Sequence, residues 1–390
     1  MIIPELTHIE EPSLTFGYKQ KSCDPRDGLM LFGPNSRNKL SGQISIGIIG
    51  PKELREVLFH YLKRIHYPII NEDKSIARPS FPGIQTVFDI HINFDSIPQI
   101  EIDREEINKY IKYADNYQRV HNLVNLYTDK LKAYIRQEEV PVNVWMVIIP
   151  EVIFQYGRPN SRIPSSDDNV KTGLKPKDRK SQQLNLFFQE EINELKEAYE
   201  FEVNFHNQLK AKLLDERIVT QIIRESKINY ENLWTDESKI EQERKFDSAK
   251  AWNISTTLYY KSGGLPWKLG DIREGVCYLG LVYKKIEPDE KNNNACCAAQ
   301  MFLDSGDGMV FRGNVGPWYN PKTKEFHLSQ KDAFDIISQS LEAFKSSSGM
   351  YPKEIFIHAK TFFENEEWSG FIEATEAKCK IIGVRIRDSC

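Results

Sequence analysis

Residues 258–267 read LYYKSGGLPW, and they divide the sequence into two parts with different patterns. The helical spacing of apolar residues over 245–260 stops at this stretch, because its Ser-Gly-Gly triplet is a helix stop signal. Before it, short apolar runs of strand length alternate with helical segments. After Pro266, three strands follow one another directly. The sequence therefore predicts two domains that meet at residue 268.

The part before this stretch alternates strands and helices. The predicted strands are 43–49, 86–94, 142–149 and 217–223, and the predicted helices are 53–65, 105–137, 186–214 and 245–260. The strand at 142–149 (VNVWMVII) is apolar on both faces, which is typical of a central strand in a parallel sheet covered by helices. We predict a Rossmann-like α/β domain over 43–268, preceded by an extended N-terminal arm over 1–42.

The part after residues 258–267 begins with three strands and continues with alternating helices and strands. Strands are predicted at 276–283, 296–303 and 309–312, followed by a helix at 330–345, a strand at 354–358, a helix at 364–377 and a strand at 379–386. This order is typical of an RNase H-like domain, which we assign to 269–390. Because no closing helix follows the last strand, we expect this domain to be incomplete at its C-terminus.

The composition excludes several classes of protein. Hydrophobic residues make up 40% and charged residues 28% of the 390 residues, and no run of 18 apolar residues occurs, which excludes a transmembrane helix. The net charge of −4 argues against a histone-like nucleic-acid binder but leaves local basic patches open. The six cysteines form no CxxC pair, so neither a zinc site nor a disulfide framework is predicted. No export signal is visible, and a cytoplasmic location is expected.

One segment is locally basic. Residues 250–285 carry six lysines and arginines against two acidic residues. A groove of this sign fits the phosphate backbone of a nucleic acid. Lys284 is the candidate backbone contact in this segment, and Arg312 is a further candidate outside it.

Six polar residues are spaced so that they can surround one point. They are His206, Lys210, Thr220, Gln221, Asn253 and Lys261. His206 and Lys210 are four apart and hence on one helical face. Two ammonium groups, an imidazole and an amide suit a terminal phosphate, which accepts several charge-assisted hydrogen bonds at once. The histidine is also a stacking surface for a base, whereas Asn253 is the weakest match of the set.

This set resembles the guide 5′-end pocket in the MID domain of Argonaute proteins. There, an aromatic or histidine residue and a lysine one turn later precede a Thr-Gln pair, and a second lysine lies just ahead of Gly-Gly in the following helix. Residues 258–267 resemble the link from MID into a PIWI domain. Together with Asp24 to Pro34, they make the chain look most like the short prokaryotic Argonautes, which consist of MID and PIWI only.

The resemblance also implies that the PIWI domain is catalytically inactive. The family's first catalytic aspartate lies two residues after a glycine on the first strand, and Val282 occupies that place here. The second aspartate follows the middle strand, where this sequence has Lys360. Valine cannot ligate magnesium and lysine would repel it, so neither cleavage nor a catalytic metal is expected. Asp304 and Asp307 are interpreted as turn residues.

For function, the resemblance implies a guide-directed sensor of a prokaryotic immune system. A small 5′-phosphorylated guide RNA, with Mg²⁺ expected at its phosphate, would pair with single-stranded target DNA of invading elements. Target binding would activate a heterodimeric partner in which an APAZ domain is fused to a TIR or sirtuin-like effector that depletes NAD. For TIR partners the family implies oligomerisation on activation. The phosphate pocket itself fits an RNA or a DNA guide.

Two alternatives stay open at this point. One is an active guide-dependent nuclease, against which Val282 and Lys360 argue. The other is an α/β enzyme acting on a small molecule. Against it, the sequence contains no GxGxxG after a strand, no GxxxxGK[ST], no GxSxG and no HExxH.

Overall fold

The computed structural model describes residues 11–36, 42–72, 76–137, 141–171, 195–285, 294–303, 308–376 and 378–387. The chain divides into two compact units. The larger unit comprises Phe16–Gln20 and Asp24–Trp267, and the smaller unit comprises Met1–Thr15, Lys21–Cys23 and Lys268–Cys390. Residues near the N-terminus are thus shared between both units.

The described residues contain thirteen α-helices. They are α1 (Pro25–Phe32), α2 (Lys52–Arg64), α3 (Ile84–Phe88), α4 (Arg104–Ile111), α5 (Asn116–Gln137), α6 (Glu151–Tyr156), α7 (Phe205–Leu214), α8 (Glu225–Ile228), α9 (Tyr230–Leu233), α10 (Glu237–Arg244), α11 (Asp247–Lys261), α12 (Gln330–Ser348) and α13 (Asn365–Thr375).

The strands of the same ranges are short at the N-terminus and long in the smaller unit. They are β1 (Leu14–Thr15), β2 (Lys21–Ser22), β3 (Gln43–Ile44), β4 (Ile46–Gly50), β5 (His91–Ile92), β6 (Gln99–Glu101), β7 (Val144–Ile149), β8 (Thr220–Arg224), β9 (Lys268–Leu269), β10 (Val276–Lys285), β11 (Ala295–Phe302), β12 (Gly308–Gly316), β13 (Tyr319–Asn320), β14 (Glu325–Phe326), β15 (Glu354–Ala359) and β16 (Lys380–Arg385).

A four-stranded parallel sheet, in the order β6-β4-β7-β8, forms the centre of the larger unit. All six residues of β7 are buried, which confirms the prediction of a central parallel strand. Its Trp145 packs in one core with Leu123 and Tyr127 of α5 and with Leu209 of α7. The sheet therefore has the covered, α/β character that the sequence predicted.

Two predicted elements of the larger unit are wrong in type or length. The predicted strand at 86–94 is helix α3, with Ile84, Val87 and Phe88 buried on one face, followed by the two-residue strand β5. The predicted helix at 105–137 is broken between α4 and α5. The side chain of Asp115 accepts a hydrogen bond from the backbone nitrogen of Gln118, and this N-cap starts a new helix.

The N-terminal arm and the predicted helix at 186–214 also differ from expectation. The arm contains helix α1, because Asp24 accepts hydrogen bonds from the backbone nitrogens of Arg26 and Asp27 and a proline occupies the first helical position. The predicted helix at 186–214 is interrupted: Ala198–Glu200 form a 3₁₀ turn, and α7 begins at Phe205, where the Asn204 side chain accepts a hydrogen bond from the backbone nitrogen of Asn207. Residues 186–194 lie outside the described residues.

A five-stranded mixed sheet, in the order β12-β11-β10-β15-β16, forms the smaller unit. The first three strands in sequence are antiparallel, and β10, β15 and β16 are parallel. Leu279 and Leu281 of β10 point into a core with Ile337 and Phe344 of α12 and Phe371 of α13. The predicted order of three meandering strands and then alternating helix and strand is confirmed.

None of the helices in the described ranges has the length and apolar character needed to cross a membrane.

Two strand glycines allow a test of how tightly the two sheets are packed. An alanine Cβ at Gly47 in β4 would lie 2.4 Å from the ring of Trp145, whereas at Gly280 in β10 its nearest neighbour would be the Gln300 carbonyl oxygen at 3.9 Å. We expect Gly47→Ala to lower the free energy of unfolding by about 1–3 kcal/mol through overpacking. Gly280→Ala should change it by less than about 0.5 kcal/mol. Thermal unfolding, monitored by tryptophan fluorescence, gives the melting temperatures of the two variants. Equal melting temperatures would contradict the tight packing of Gly47 against Trp145.

Candidate phosphate-binding site

Lys261, the last residue of α11, is fixed to the edge strand of the larger unit. Its Nζ donates to the carbonyl oxygen of Thr220 at 2.6 Å and to Oε1 of Gln221 at 2.7 Å. Burial, together with the like charge of Lys210, lowers the pKa of Lys261 to about 8. The two ammonium groups are therefore close enough to repel each other.

Helix α7 presents Lys210 to this point because its other face is buried. Leu209 and Leu213 are buried in the core of the larger unit, whereas His206 and Lys210 are exposed one turn apart. Within the described residues, no hydrogen bond or ion pair engages the Lys210 ammonium. Its charge is thus directed to solvent beside Lys261.

The structure brings together four of the six predicted pocket residues. Lys261 contacts Gln221, the charge of Lys210 helps to lower the pKa of Lys261, and Thr220, which is buried, contributes its backbone carbonyl rather than its hydroxyl group. The Gln221 amide also donates through Nε2 to the carbonyl oxygen of Ile222 at 3.0 Å. This cluster of cations and an amide has the chemistry of an oxyanion site.

Asn253 lies elsewhere. It is eight residues before Lys261 on α11, which corresponds to about 12 Å along the helix axis. Its side chain lines a separate cleft of about 290 Å³ with Arg26, Trp252 and Trp267. The predicted phosphate contact of Asn253 is therefore not part of the Lys261 cluster.

His206 borders a second cleft, of about 490 Å³. The cleft lies at the ends of β7 and β8 and is lined by α6, by the turn that follows α6 and by the start of α7. The His206 ring is exposed, and its Nδ1 lies 3.2 Å from Oδ1 of Asn207. The ends of parallel strands are where open α/β sheets bind ligands, and this position could have pointed to the cleft from sequence.

A ring stacked between two guanidinium groups forms one wall of this cleft. The guanidinium carbons of Arg158 and Arg224 lie 3.5 and 3.3 Å from the centroid of the Phe154 ring, so they occupy its opposite faces. Arg224 also forms a salt bridge of 2.7 Å with Glu151. Burial alone would raise the pKa of Glu151, but hydrogen bonds from Arg224 and Ser226 outweigh it, so this pKa is lowered and the carboxylate stays charged.

These wall residues carry no signal in the sequence. Phe154, Arg158 and Arg224 lie on separate elements, and no spacing rule relates them. In the described residues, Arg158 takes part in no ion pair, and its guanidinium is exposed. Its donors are therefore available to a ligand in the cleft.

The two positions predicted as vacated catalytic sites lie side by side in the smaller unit. Val282 is 58% exposed on the sheet face opposite the core. The parallel register pairs Gly280 with His358, and its continuation places Val282 beside Lys360, directly after β15. Among the described residues, no group of three or more His, Cys, Asp or Glu side chains is arranged to hold a metal ion.

The predicted backbone contacts belong to the same sheet. Lys284 is exposed on β10, on the same face as Val282. The register also aligns Val282 with Ala298 and Ala298 with Arg312 of β12, although the Arg312 side chain lies outside the description. Asp304 and Asp307 likewise lie outside the described residues.

The lowered pKa of Lys261 predicts a pH-dependent affinity for phosphate. A 5′-phosphate carries nearly constant charge above pH 7, because its second pKa is about 6. Free Lys261 loses its proton above pH 8, so the affinity for a 5′-phosphorylated oligonucleotide should fall by up to about tenfold per pH unit between pH 8 and 9.5.

Fluorescence anisotropy titrations at pH 7.0 to 9.5 measure this slope. Lys261→Met should remove it, and Lys239→Met, at an exposed lysine of α10, should retain it. A wild-type affinity that does not change over this range would contradict the assignment of Lys261 as a phosphate ligand.

The chain is similar to known proteins in its three-dimensional structure. No protein-family model matches the sequence, and no curated protein matches it either. The structure of Clostridium butyricum Argonaute bound to a guide DNA and a 19-mer target DNA aligns with 97% of this chain at 15% identity and a TM-score of 0.56. Aquifex aeolicus Argonaute aligns with 95% at 15% identity and a TM-score of 0.48, and Drosophila Piwi with 94% at 10% identity and a TM-score of 0.44.

The first of these likenesses bears on the fold. This chain spans 39% of the Clostridium butyricum protein, and 40% and 35% of the other two. The α/β unit with its parallel sheet and the mixed-sheet unit after it correspond to the MID and PIWI arrangement. The chain has the fold of the MID and PIWI portion of an Argonaute protein.

Proposed function

We propose that this chain binds the 5′-phosphorylated end of a small guide strand and uses it to sense complementary nucleic acid. The observation that carries the proposal is the half-buried Lys261 ammonium, which donates to Gln221 and whose pKa is lowered by burial and by the like charge of Lys210. Two ammonium groups that repel each other are unfavourable in the free protein. A phosphate dianion between them reverses the sign of that interaction.

The site favours a terminal phosphate over a phosphate within a chain. A terminal phosphate has three free oxygens and about two negative charges near pH 7. The half-buried position of Lys261 strengthens its attraction to that charge, because the effective dielectric constant there is lower than in water. A phosphodiester carries one charge and has less access to the partly buried ammonium.

The first nucleoside of the guide would occupy the neighbouring cleft. His206 lies one helical turn before Lys210, so a base stacked on the imidazole can be attached to a phosphate held by the lysines. The cleft volume of about 490 Å³ is large enough for one nucleoside. Phosphate and base would then be recognised by adjoining but separate groups.

The remainder of the guide would pair with a target strand. The likeness to an Argonaute solved with a guide DNA and a target DNA supports this part of the proposal. Base pairing would supply the sequence information, and Lys284 and Arg312 of the smaller unit would contact the backbone. We propose an RNA guide and a single-stranded DNA target, as in the short Argonautes that the sequence resembles.

Target pairing would be reported to a second protein. We propose a heterodimeric APAZ partner with a TIR or sirtuin-like effector that depletes NAD, in a prokaryotic immune response. Pairing can switch such a partner only if the paired state favours one of two arrangements of the heterodimer, because target binding is the only free-energy input. For a TIR partner, activation would include oligomerisation of the heterodimers.

The chain itself would not cut the target. By the resemblance, Val282 and Lys360 stand at the two places where a two-metal nuclease would need carboxylates. Magnesium at the guide phosphate stays a prediction. The groups described around Lys261 are ammonium groups and an amide whose oxygen already accepts from Lys261, which is a poor donor set for a divalent cation. Phosphate recognition would therefore depend on the protein's own ammonium groups.

Isolation of the chain from its native cells tests the proposal as a whole. We expect short 5′-phosphorylated guides when the bound nucleic acid is sequenced and an APAZ protein when the bound protein is identified by mass spectrometry. Lys210→Glu and Lys261→Glu should each reduce guide retention about tenfold to a hundredfold, because each removes a charge-assisted hydrogen bond worth about 1.5–3 kcal/mol. Lys239→Glu makes the same charge change at an exposed site on α10 and should retain the guide. Recovery of a bound small metabolite without guides would favour the alternative α/β enzyme.

A cleavage assay separates the sensor from the alternative nuclease. Protein loaded with a guide and supplied with Mg²⁺ or Mn²⁺ should leave a matched, end-labelled target intact over hours. Guide-dependent cleavage products of defined length would contradict the proposal that Val282 and Lys360 make the chain inactive as a nuclease.

A further inference from the structure

Arg119, on α5, is fully buried in the larger unit, and its guanidinium nitrogens donate to oxygen atoms of three separate segments. Nε donates to the carbonyl of Tyr156 at 3.2 Å, Nη1 to the carbonyl of Tyr113 at 2.7 Å and Nη2 to the carbonyl of Ser161 at 3.1 Å. Nη2 also donates to the side-chain oxygen of Asn116. All of these acceptors are uncharged.

Burial of this charge is costly: desolvation lowers the pKa of Arg119, and the charge of the nearby Asp115 offsets this only in part. The five fixed donors of a guanidinium can, however, bind several backbone carbonyls at once, which no apolar side chain can do. Arg119 uses them to join the end of α4, the start of α5 and the turn at 156–161. Its geometry is that of a clamp on these backbone segments.

The clamped turn is one wall of the cleft beside His206. Gly157, Arg158 and Pro159 line that cleft, and they lie between the two carbonyls that Arg119 holds. The Ser161 hydroxyl closes the turn by donating to the Tyr156 carbonyl at 2.7 Å. Asn160 adopts a left-handed backbone conformation with φ of 60°, as the sharp turn requires.

The same turn is pressed against the start of α7. The carbonyl oxygen of Gly157 accepts a hydrogen bond of 2.8 Å from the backbone nitrogen of Phe205, the residue before His206. An alanine Cβ at Gly157 would lie 2.6 Å from the carbonyl oxygen of Ile153 and 3.0 Å from Cβ of Phe205. A displacement of the turn would therefore also displace His206.

We propose that Arg119 is a positioning residue for the first nucleobase of the guide, an inference that rests on the proposed guide binding. It holds the turn at 156–161 and, through Gly157 and Phe205, the start of α7, so that Arg158 and His206 face one cleft. The phosphate contacts are held by other groups. Thr220 and Gln221 hold Lys261 from β8, and Leu209 and Leu213 anchor α7 in the core on either side of Lys210. Loss of the clamp should weaken recognition of the base and spare recognition of the phosphate.

The test compares 5′-phosphorylated guides that differ only in the first nucleotide, which carries one of the four bases or is abasic. We expect the wild-type protein to bind its best base-bearing guide at least about fivefold more tightly than the abasic guide, as stacking on an aromatic side chain provides. Arg119→Lys keeps the positive charge but loses the planar array of guanidinium donors. In this variant, the ratio of base-bearing to abasic affinity should fall towards one. Ser161→Ala, a milder change in the same turn, should lower it in the same direction.

The control is Arg55→Lys, at a second buried arginine of the larger unit. Arg55 donates to Glu101 at 2.6 Å and to Gln99 at 3.1 Å, and it does not line the cleft. This variant should keep the base-to-abasic ratio of the wild type. In all three variants, the preference for a 5′-phosphate over a 5′-hydroxyl should be unchanged.

The outcomes separate this inference from the proposed function. If the wild type shows no preference for a 5′-phosphate, guide binding at Lys261 is wrong. A second outcome is that the wild type shows this preference while Arg119→Lys and Ser161→Ala both keep the wild-type base-to-abasic ratio. If melting curves show that both variants are folded, this result overturns the positioning role of Arg119 and leaves the proposed function standing. Ser161→Ala decides the question if Arg119→Lys does not fold.

Discussion

The hydrogen bonds from Lys261 to the Thr220 carbonyl and the Gln221 side chain join the last turn of α11 to the edge of the parallel sheet. They hold an ammonium group in a half-buried position next to Lys210, at a cost that appears as a pKa of about 8. A protein that only needed to join a helix to a strand could use an apolar contact. The strained placement of two like charges is instead understandable as a site prepared for an anion.

The surroundings of this contact make the site rigid. Strand β8 is paired along its length with the fully buried β7, and α7 is anchored by apolar side chains in the same core. The base cleft is built differently, from a turn whose carbonyls Arg119 holds and from a phenylalanine ring between two arginines. In the proposed function, phosphate and base recognition would thus depend on different parts of the larger unit. The smaller unit adds a sheet with an exposed face on which Val282 lies.

Strong periodicity made the main elements predictable. The buried strand β7 and the meander of β10 to β12 follow from residue spacing, and the contact between Gln221 and Lys261 agrees with the resemblance to a family. The strand predicted over 86–94 (TVFDIHINF) was wrong at its start, because the apolar-polar alternation typical of a strand begins only at Phe88, and the residues before it belong to α3. Asn253 was predicted as a phosphate ligand because it lies on the same helix as Lys261. The eight residues between the two positions correspond to about 12 Å along the helix axis, which separates Asn253 from the cluster. The clamp of Arg119 could not be predicted, since the partners that join the separate segments are mainly backbone carbonyls, which leave no residue pattern.

The central claim is that the Lys261 cluster recognises a terminal phosphate. Isothermal titration of the purified chain with two oligonucleotides of the same sequence, one with a 5′-phosphate and one with a 5′-hydroxyl, tests it most directly. The account predicts that the 5′-phosphate strengthens binding at least about tenfold at pH 7, as two charge-assisted contacts require. Equal affinities for the two oligonucleotides would contradict it.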